Sequence, residues 1–175
     1  SIVEEKEENT KQEALAEAAT VPHDAEKSKL GELTFKVPAE GGWVVRNDSG
    51  GKGSWLASRG SRLHKGIDLV SPVGSKIYAP MDGTAHGTST GTGGMIGTKI
   101  FGTGEYKGYT AYMFYNKKKF PSGTAVKKGD VIATQLAMQD HYGPRVTDHV
   151  HVSIRTSGGT KYDPTMGSGD INWEA

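Results

Sequence analysis

Glycine placement constrains this chain more than any other feature. Nearly all of its 25 glycines fall after residue 32, where they separate short runs rich in β-branched and aromatic residues. The runs are residues 33–37, 43–45, 67–70, 76–79, 98–101, 109–115, 131–133 and 150–154. None is long enough for a typical globular helix, and strand-length apolar runs closed by Gly and Pro turns build a sandwich or a barrel. The fold expected is therefore all-β and antiparallel. Residues 87–108, rich in Gly and Thr, are read as a long mobile hairpin or a loop bordering a groove. No internal repeat is present.

The first 32 residues have a different texture. They hold nine acidic residues against four lysines, a net −5, which leaves +6 for the remainder of a chain whose total is +1. Residues 3–19 are mostly Glu, Lys, Gln and Ala, good helix formers, with Val3 and Leu15 as the only large apolar side chains. Such a segment has no continuous stripe to bury. It is expected to be a helical or disordered acidic arm over 1–32, either a linker or a docking arm for a larger assembly, preceding one domain over 33–175.

Composition closes several routes. There is no cysteine, which excludes thiolate metal sites and cysteine nucleophiles, so a metal here must be held by His and carboxylate. No apolar run approaches the roughly 20 residues of a spanning helix. The small net charge argues against nucleic acid as a partner. The chain opens at Ser1 without a basic-then-apolar leader, which is read as a mature, processed or engineered product whose targeting signal is unseen.

The chemistry concentrates in two stretches, Arg62 to Asp68 and Asp148 to Val152. Residues two apart in a strand face the same side, so His149 and His151 are expected to project into one pocket. His64 and Asp68, four apart around Gly66, can converge with them on a divalent ion. Imidazole and carboxylate suit zinc, and three protein ligands leave one position open. The spacing alone fits equally well surface or core histidines with unrelated hydrogen bonds.

A family resemblance adds to this reading. The string HKGID (His64 to Asp68) resembles the HxGxD motif of the LytM-like metallopeptidases, peptidase family M23. The following SPVGSKIYAPMDGTA is similar to the family's turn-strand-glycine continuation, SGTAVKKGDVIAT to a later block, and DHVHVSI to its HxH strand. All the blocks stand in family order from about Trp43 to Pro164. Within the family, GTKIFGTGEYKGYTAYMFYNKKKF is most similar to the leukocyte cell-derived chemotaxin branch.

The resemblance implies a duplicated-hybrid-motif β domain in which His64, Asp68 and His151 bind zinc. His149 is implied as the catalytic pocket histidine. It also implies a second, non-ligand histidine in a Y-x-H segment, which here reads Tyr112, Met113, Phe114. Phenylalanine can neither donate nor accept the bonds of an imidazole, and the same replacement marks the chemotaxin branch. Ser153 stands where the family often has Glu, and the cysteines of the animal chemotaxins are missing, which favours a microbial or viral source.

The function expected is a zinc-binding, degenerate peptidase used as a structural or cell-wall recognition module, for instance in a phage particle. The alternatives are an active endopeptidase cutting peptidoglycan cross-links and a secreted chemotaxin-like signal. Expected partners are peptidoglycan peptides or a protein in a larger assembly, with an extracellular or virion-associated location. Phe114, Tyr112 and Trp55 are expected to contact substrate, and Tyr106 is assigned with Trp55 to the groove. The remaining aromatics are expected in the core. His23, His86 and His141 are expected at the surface, His141 on a loop able to fold toward the pocket. Lys117 to Lys119 is read as a solvated turn.

Overall fold

The computed structural model describes residues 29–89 and 95–175. Its strands in chain order begin with β1 (Thr34–Lys36), β2 (Asn47–Asp48), β3 (Gly51–Lys52), β4 (Ser58–Arg59), β5 (Arg62–Leu63), β6 (Ile67–Val70), β7 (Lys76–Tyr78) and β8 (Gly83–Ser89). They continue with β9 (Ile96–Gly102), β10 (Tyr109–Phe114), β11 (Asn116–Lys118), β12 (Thr124–Val126), β13 (Val131–Gln135), β14 (His149–Thr156) and β15 (Asn172–Glu174). One short helix, Gln139–Tyr142, precedes β14. Six strands form an antiparallel sheet in the order β12-β8-β9-β10-β14-β6, and three more form a second sheet, β11-β13-β7. The large sheet ends in two edges, so no barrel closes.

Alternation along β14 shows why this sequence makes a two-faced sheet. Val150, Val152 and Ile154 are each 0% exposed and enter the core, while His149, His151, Ser153 and Arg155 take the other face. Ile67 and Leu69 of β6, Ile100 of β9 and Ala111 and Met113 of β10 extend the same core, which Ile77 and Ile132 of the smaller sheet also line. The chemistry-bearing residues thus share one face because their neighbours in sequence bury the other.

Of the two readings of residues 87–108 the hairpin is the one observed, while two other expectations change. Residues 96–102 are the regular strand β9, and 87–89 complete β8, paired residue for residue from Gly83–Gly102 to Ser89–Ile96. Pairing on both sides supports a Gly- and Thr-rich segment that has weak strand propensity by itself. The acidic arm falls largely outside the described residues. At its end, however, Leu30 is 0% exposed in the main core cluster, so the folded domain includes residues ahead of position 33. Lys117 and Lys118 lie in strand β11 instead of a turn.

Candidate metal centre

Antiparallel register between β14 and β6 sets His151 opposite Asp68 and His149 opposite Val70. His64 enters just after β5, its backbone N–H donating to Ala57 O at 2.9 Å and its carbonyl accepting from Leu56 N at 2.7 Å. The His64 side chain is oriented by Ser54, whose carbonyl lies 2.9 Å from Nδ1. A carbonyl only accepts, so Nδ1 carries the proton and the Nε2 lone pair faces inward. Three candidate ligand atoms then form a small triangle. His64 Nε2 to His151 Nδ1 is 3.0 Å, His64 Nε2 to Asp68 Oδ1 is 3.1 Å and His151 Nδ1 to Asp68 Oδ1 is 2.9 Å.

That triangle fits a metal ion. Zinc bonds of about 2.0–2.1 Å in a tetrahedron place ligand atoms roughly 3.3 Å apart, so the cluster needs only a few tenths of an ångström of expansion. Two inward imidazole lone pairs beside a carboxylate also repel one another unless a cation or a shared proton sits among them. The donor set of two imidazoles and a carboxylate oxygen suits zinc.

Supporting contacts hold the carboxylate. Arg46 Nη1 donates to Asp68 Oδ2 at 3.2 Å, and Arg59 Nη2 lies 3.6 Å from the same oxygen. Arg46 also forks onto Asp48, with Nε to Oδ2 at 2.9 Å and Nη2 to Oδ1 at 3.1 Å. Asp48 in turn accepts from Gly50 N and Thr147 N, each at 2.8 Å. This chain of bonds ties the β2–β3 hairpin, the ligand and the entry to β14 together. Burial is the largest influence on Asp68 and pushes its carboxyl up. Hydrogen bonds from His151 and His64 and the charges of His149 and His151 outweigh it, holding the group well below the usual carboxylate range.

His149 sits beside the triangle without joining it. Its Nδ1 lies 2.7 Å from Thr147 O, so Nδ1–H donates there, and Nε2 stands 3.5 Å from Asp68 Oδ2. Burial, more than any other influence, lowers the His149 pKa below its ordinary value against the attraction of Asp68, so the ring is neutral at pH 7.

Glycine shapes the pocket by absence. A Cβ on Gly66 would lie 2.6 Å from both Cε1 and Nε2 of the His151 ring, and one on Gly53 would lie 2.6 Å from Asp68 Cβ. The backbone passes the ligands at distances only glycine permits.

The structure brings most of the expected site residues to one face. Phe114 pairs with His151 across β10 and β14, ring centroids 6.0 Å apart. Tyr112 stacks on Phe114 at 5.9 Å. Trp55 follows Ser54, the residue that orients His64, and carries Lys65 Nζ 5.6 Å over its ring. Tyr106 does not line a groove: it is 1% exposed, its hydroxyl donates to Thr34 O at 2.6 Å, and its ring meets Phe35 edge-on. His86 is buried against Phe101 on β8 instead of lying at the surface. His141 is exposed and pairs with Tyr142, while His23 lies outside the described residues.

Arg46, Asp48, Arg59 and Tyr115 escaped the sequence reading. Tyr115 has a left-handed backbone, φ 80°, and presents its ring edge-on to His149 at 5.2 Å. Burial, followed by a hydrogen bond with Tyr142, pushes its phenol well above the ordinary range, so it stays protonated. An aromatic with φ > 0 is an uncommon strained position of the kind that clusters at functional sites. No local sequence signal marks it.

The family model described as Peptidase family M23 matches residues 62–164, more than half of the chain. Leukocyte cell-derived chemotaxin-2 of Mus musculus is 35% identical over 120 residues, covering 67% of this chain and 74% of the relative. Its counterpart in Bos taurus is 32% identical over 109 residues, covering 60% and 68%. Among solved structures, the antimicrobial peptidase lysostaphin from Staphylococcus simulans aligns with a TM-score of 0.52 at 18% identity. That alignment covers 67% of this chain and 48% of lysostaphin, so the chain spans about half of lysostaphin's length. At this identity the likeness speaks for the β-rich fold.

Proposed function

Since the chain belongs to peptidase family M23, we propose that it is a zinc-binding, degenerate peptidase that holds peptides without cutting them efficiently. His64, Asp68 and His151 are the residues that would hold the ion. Zinc so held supplies Lewis acidity toward a peptide carbonyl. The observation that carries the reading is Phe114, in register with His151 on the pocket face, where the family resemblance implies a second imidazole.

The remaining machinery is one-sided. Neutral His149, oriented by Thr147 O, can accept a proton or share charge through Nε2. Phe114 can do neither, and Tyr115 is held protonated by its surroundings. Losing one positioned acid–base group removes about 10²–10⁴-fold in rate, and losing one donor to a developing oxyanion about 10²–10³-fold. The pocket therefore favours binding over turnover. Its ligand in this reading is a peptide of a cell wall or of a protein partner, met outside the cell or on a virus particle.

Intact His149 geometry favours a second reading, an active zinc endopeptidase acting on peptidoglycan cross-links. A secreted chemotaxin-like role rests on the chemotaxin identities alone. The experiment that decides is release of soluble peptide from purified peptidoglycan by the zinc-loaded protein, its zinc-free form, Phe114→His and His149→Ala. The proposal expects little release by the unmodified protein and a gain in Phe114→His. Robust zinc-dependent release by the unmodified protein, abolished in His149→Ala, overturns it in favour of the endopeptidase.

A further inference from the structure

The ligand face of β14 continues past His151 through Ser153 to Arg155. At a strand rise of about 3.3 Å per residue, Arg155 lies roughly 13 Å from His151 along the strand. Its guanidinium lies over Tyr112, Cζ 3.9 Å from the ring centroid, and Nη2 donates to the Tyr112 hydroxyl. These two contacts hold the guanidinium in place, and it has more N–H groups than the one given to Tyr112. Beyond Thr156 the chain turns back, with Gly159 N donating to Thr156 O at 3.0 Å and Thr156 N to Thr160 O at 2.8 Å, and Lys161 bridges to Arg155.

Two cations paired across this bridge repel one another and call for an anion. Among the described residues no carboxylate lies within ion-pair distance of Arg155 or Lys161, although the same domain pairs Arg46, Lys127 and Lys128 with acids. We propose that Arg155 and Lys161 form a carboxylate subsite for an extended peptide laid over the metal cluster. The carboxylate, an acidic side chain or the free C-terminus, would sit about four residues from the group bound at the cluster. A planar, aromatic-backed guanidinium accepts a carboxylate side-on with two parallel bonds. This inference rests on the peptide-binding reading above and specifies which peptides are held.

The test uses the zinc-loaded protein and polyalanine hexapeptides labelled at the N-terminus with the uncharged dansyl group, in three forms. One carries an internal Glu with an amidated C-terminus, one Gln in its place with the same amide, and one Gln with a free C-terminus. The expected result is about 5- to 10-fold tighter binding of a carboxylate form over the doubly neutral one. The first and third forms tell which carboxylate is recognised. The preference should fall to nearly one in Arg155→Gln and in Lys161→Gln, with zinc content unchanged. Lys161 is exposed, so its variant carries the test if Arg155→Gln fails to fold. Equal binding of all three forms, or a preference that survives both substitutions, overturns the subsite.

Titration with N-acetylglutamate amide, followed on the Arg155 side-chain NMR resonance, separates this from the wider reading. A saturable shift without any peptide binding supports the subsite and rejects peptide recognition. No shift, with the neutral peptide still bound, rejects the subsite alone.

Discussion

Gly66→Ala tests whether the ligand cluster is as closely packed as its distances indicate. The added methyl would lie 2.6 Å from His151 Cε1, His151 Nε2 and Val152 O, whereas ordinary contact begins near 3.4 Å. Each neighbour must retreat by about 0.8 Å, and one of them is strand backbone locked in the β14–β6 ladder. Overpacking of this kind costs about 1–3 kcal/mol. At about 2–4 °C per kcal/mol for a domain of this size, the zinc-free protein should melt several degrees lower. The functional loss should be larger. A zinc ligand set tolerates displacements of about 0.2 Å, so moving the His151 ring by several times that should weaken zinc binding at least about 10-fold. The assays are zinc per chain after dialysis against a competing chelator and a thermal melt in excess chelator. Gly41→Ala, whose methyl would meet nothing within 4 Å, is the control. Unchanged zinc affinity together with an unchanged melting temperature in Gly66→Ala would refute the geometry on which the centre rests.

Arg46→Met should cost about 3 kcal/mol in urea unfolding, the low end for breaking a buried ion pair, because Arg59 still faces Asp68; a neutral result would show that Asp48 and Asp68 need no shared cation. Metal-free protein should lose stability as pH falls below the ordinary His149 value of 6.5 toward its lowered folded pKa. The unfolded chain takes up that proton first, so the melting temperature between about pH 7.5 and 5.5 should drop more steeply for the unmodified chain than for His149→Gln, and equal slopes would contradict the assignment. Leu30→Ala should destabilise by about 2–5 kcal/mol, measured by urea unfolding, since Leu30 fills the core; an effect under about 0.5 kcal/mol would return residues 29–32 to the arm.

Much of the sheet was legible because alternation is a local property. Val150, Val152 and Ile154 must share a face, and that fact alone sent His149 and His151 to the other. The boundary at residue 32 was not legible, since Leu30 follows a polar, charged stretch and nothing nearby in sequence shows what it packs against. Tyr106 and His86 were misjudged for the same reason. Glycine and lysine neighbours suggested exposure for Tyr106, and the usual surface position of histidine did so for His86, while the burial of both residues comes from strands outside their local segments.

By itself the sequence determined the β architecture, the exclusion of thiolate chemistry and the ligand types that can meet around Gly66, all consequences of residue identity and short-range period. Tertiary structure alone decided which nitrogen of His64 and of His149 turns inward, because Ser54 O and Thr147 O set that orientation. It also decided that Arg46 joins Asp48 to Asp68 across 20 residues, and that Arg155 lies on Tyr112 and pairs with Lys161. These contacts depend on the register between strands, and register is fixed by how a whole sheet buries its apolar face, which no local pattern encodes.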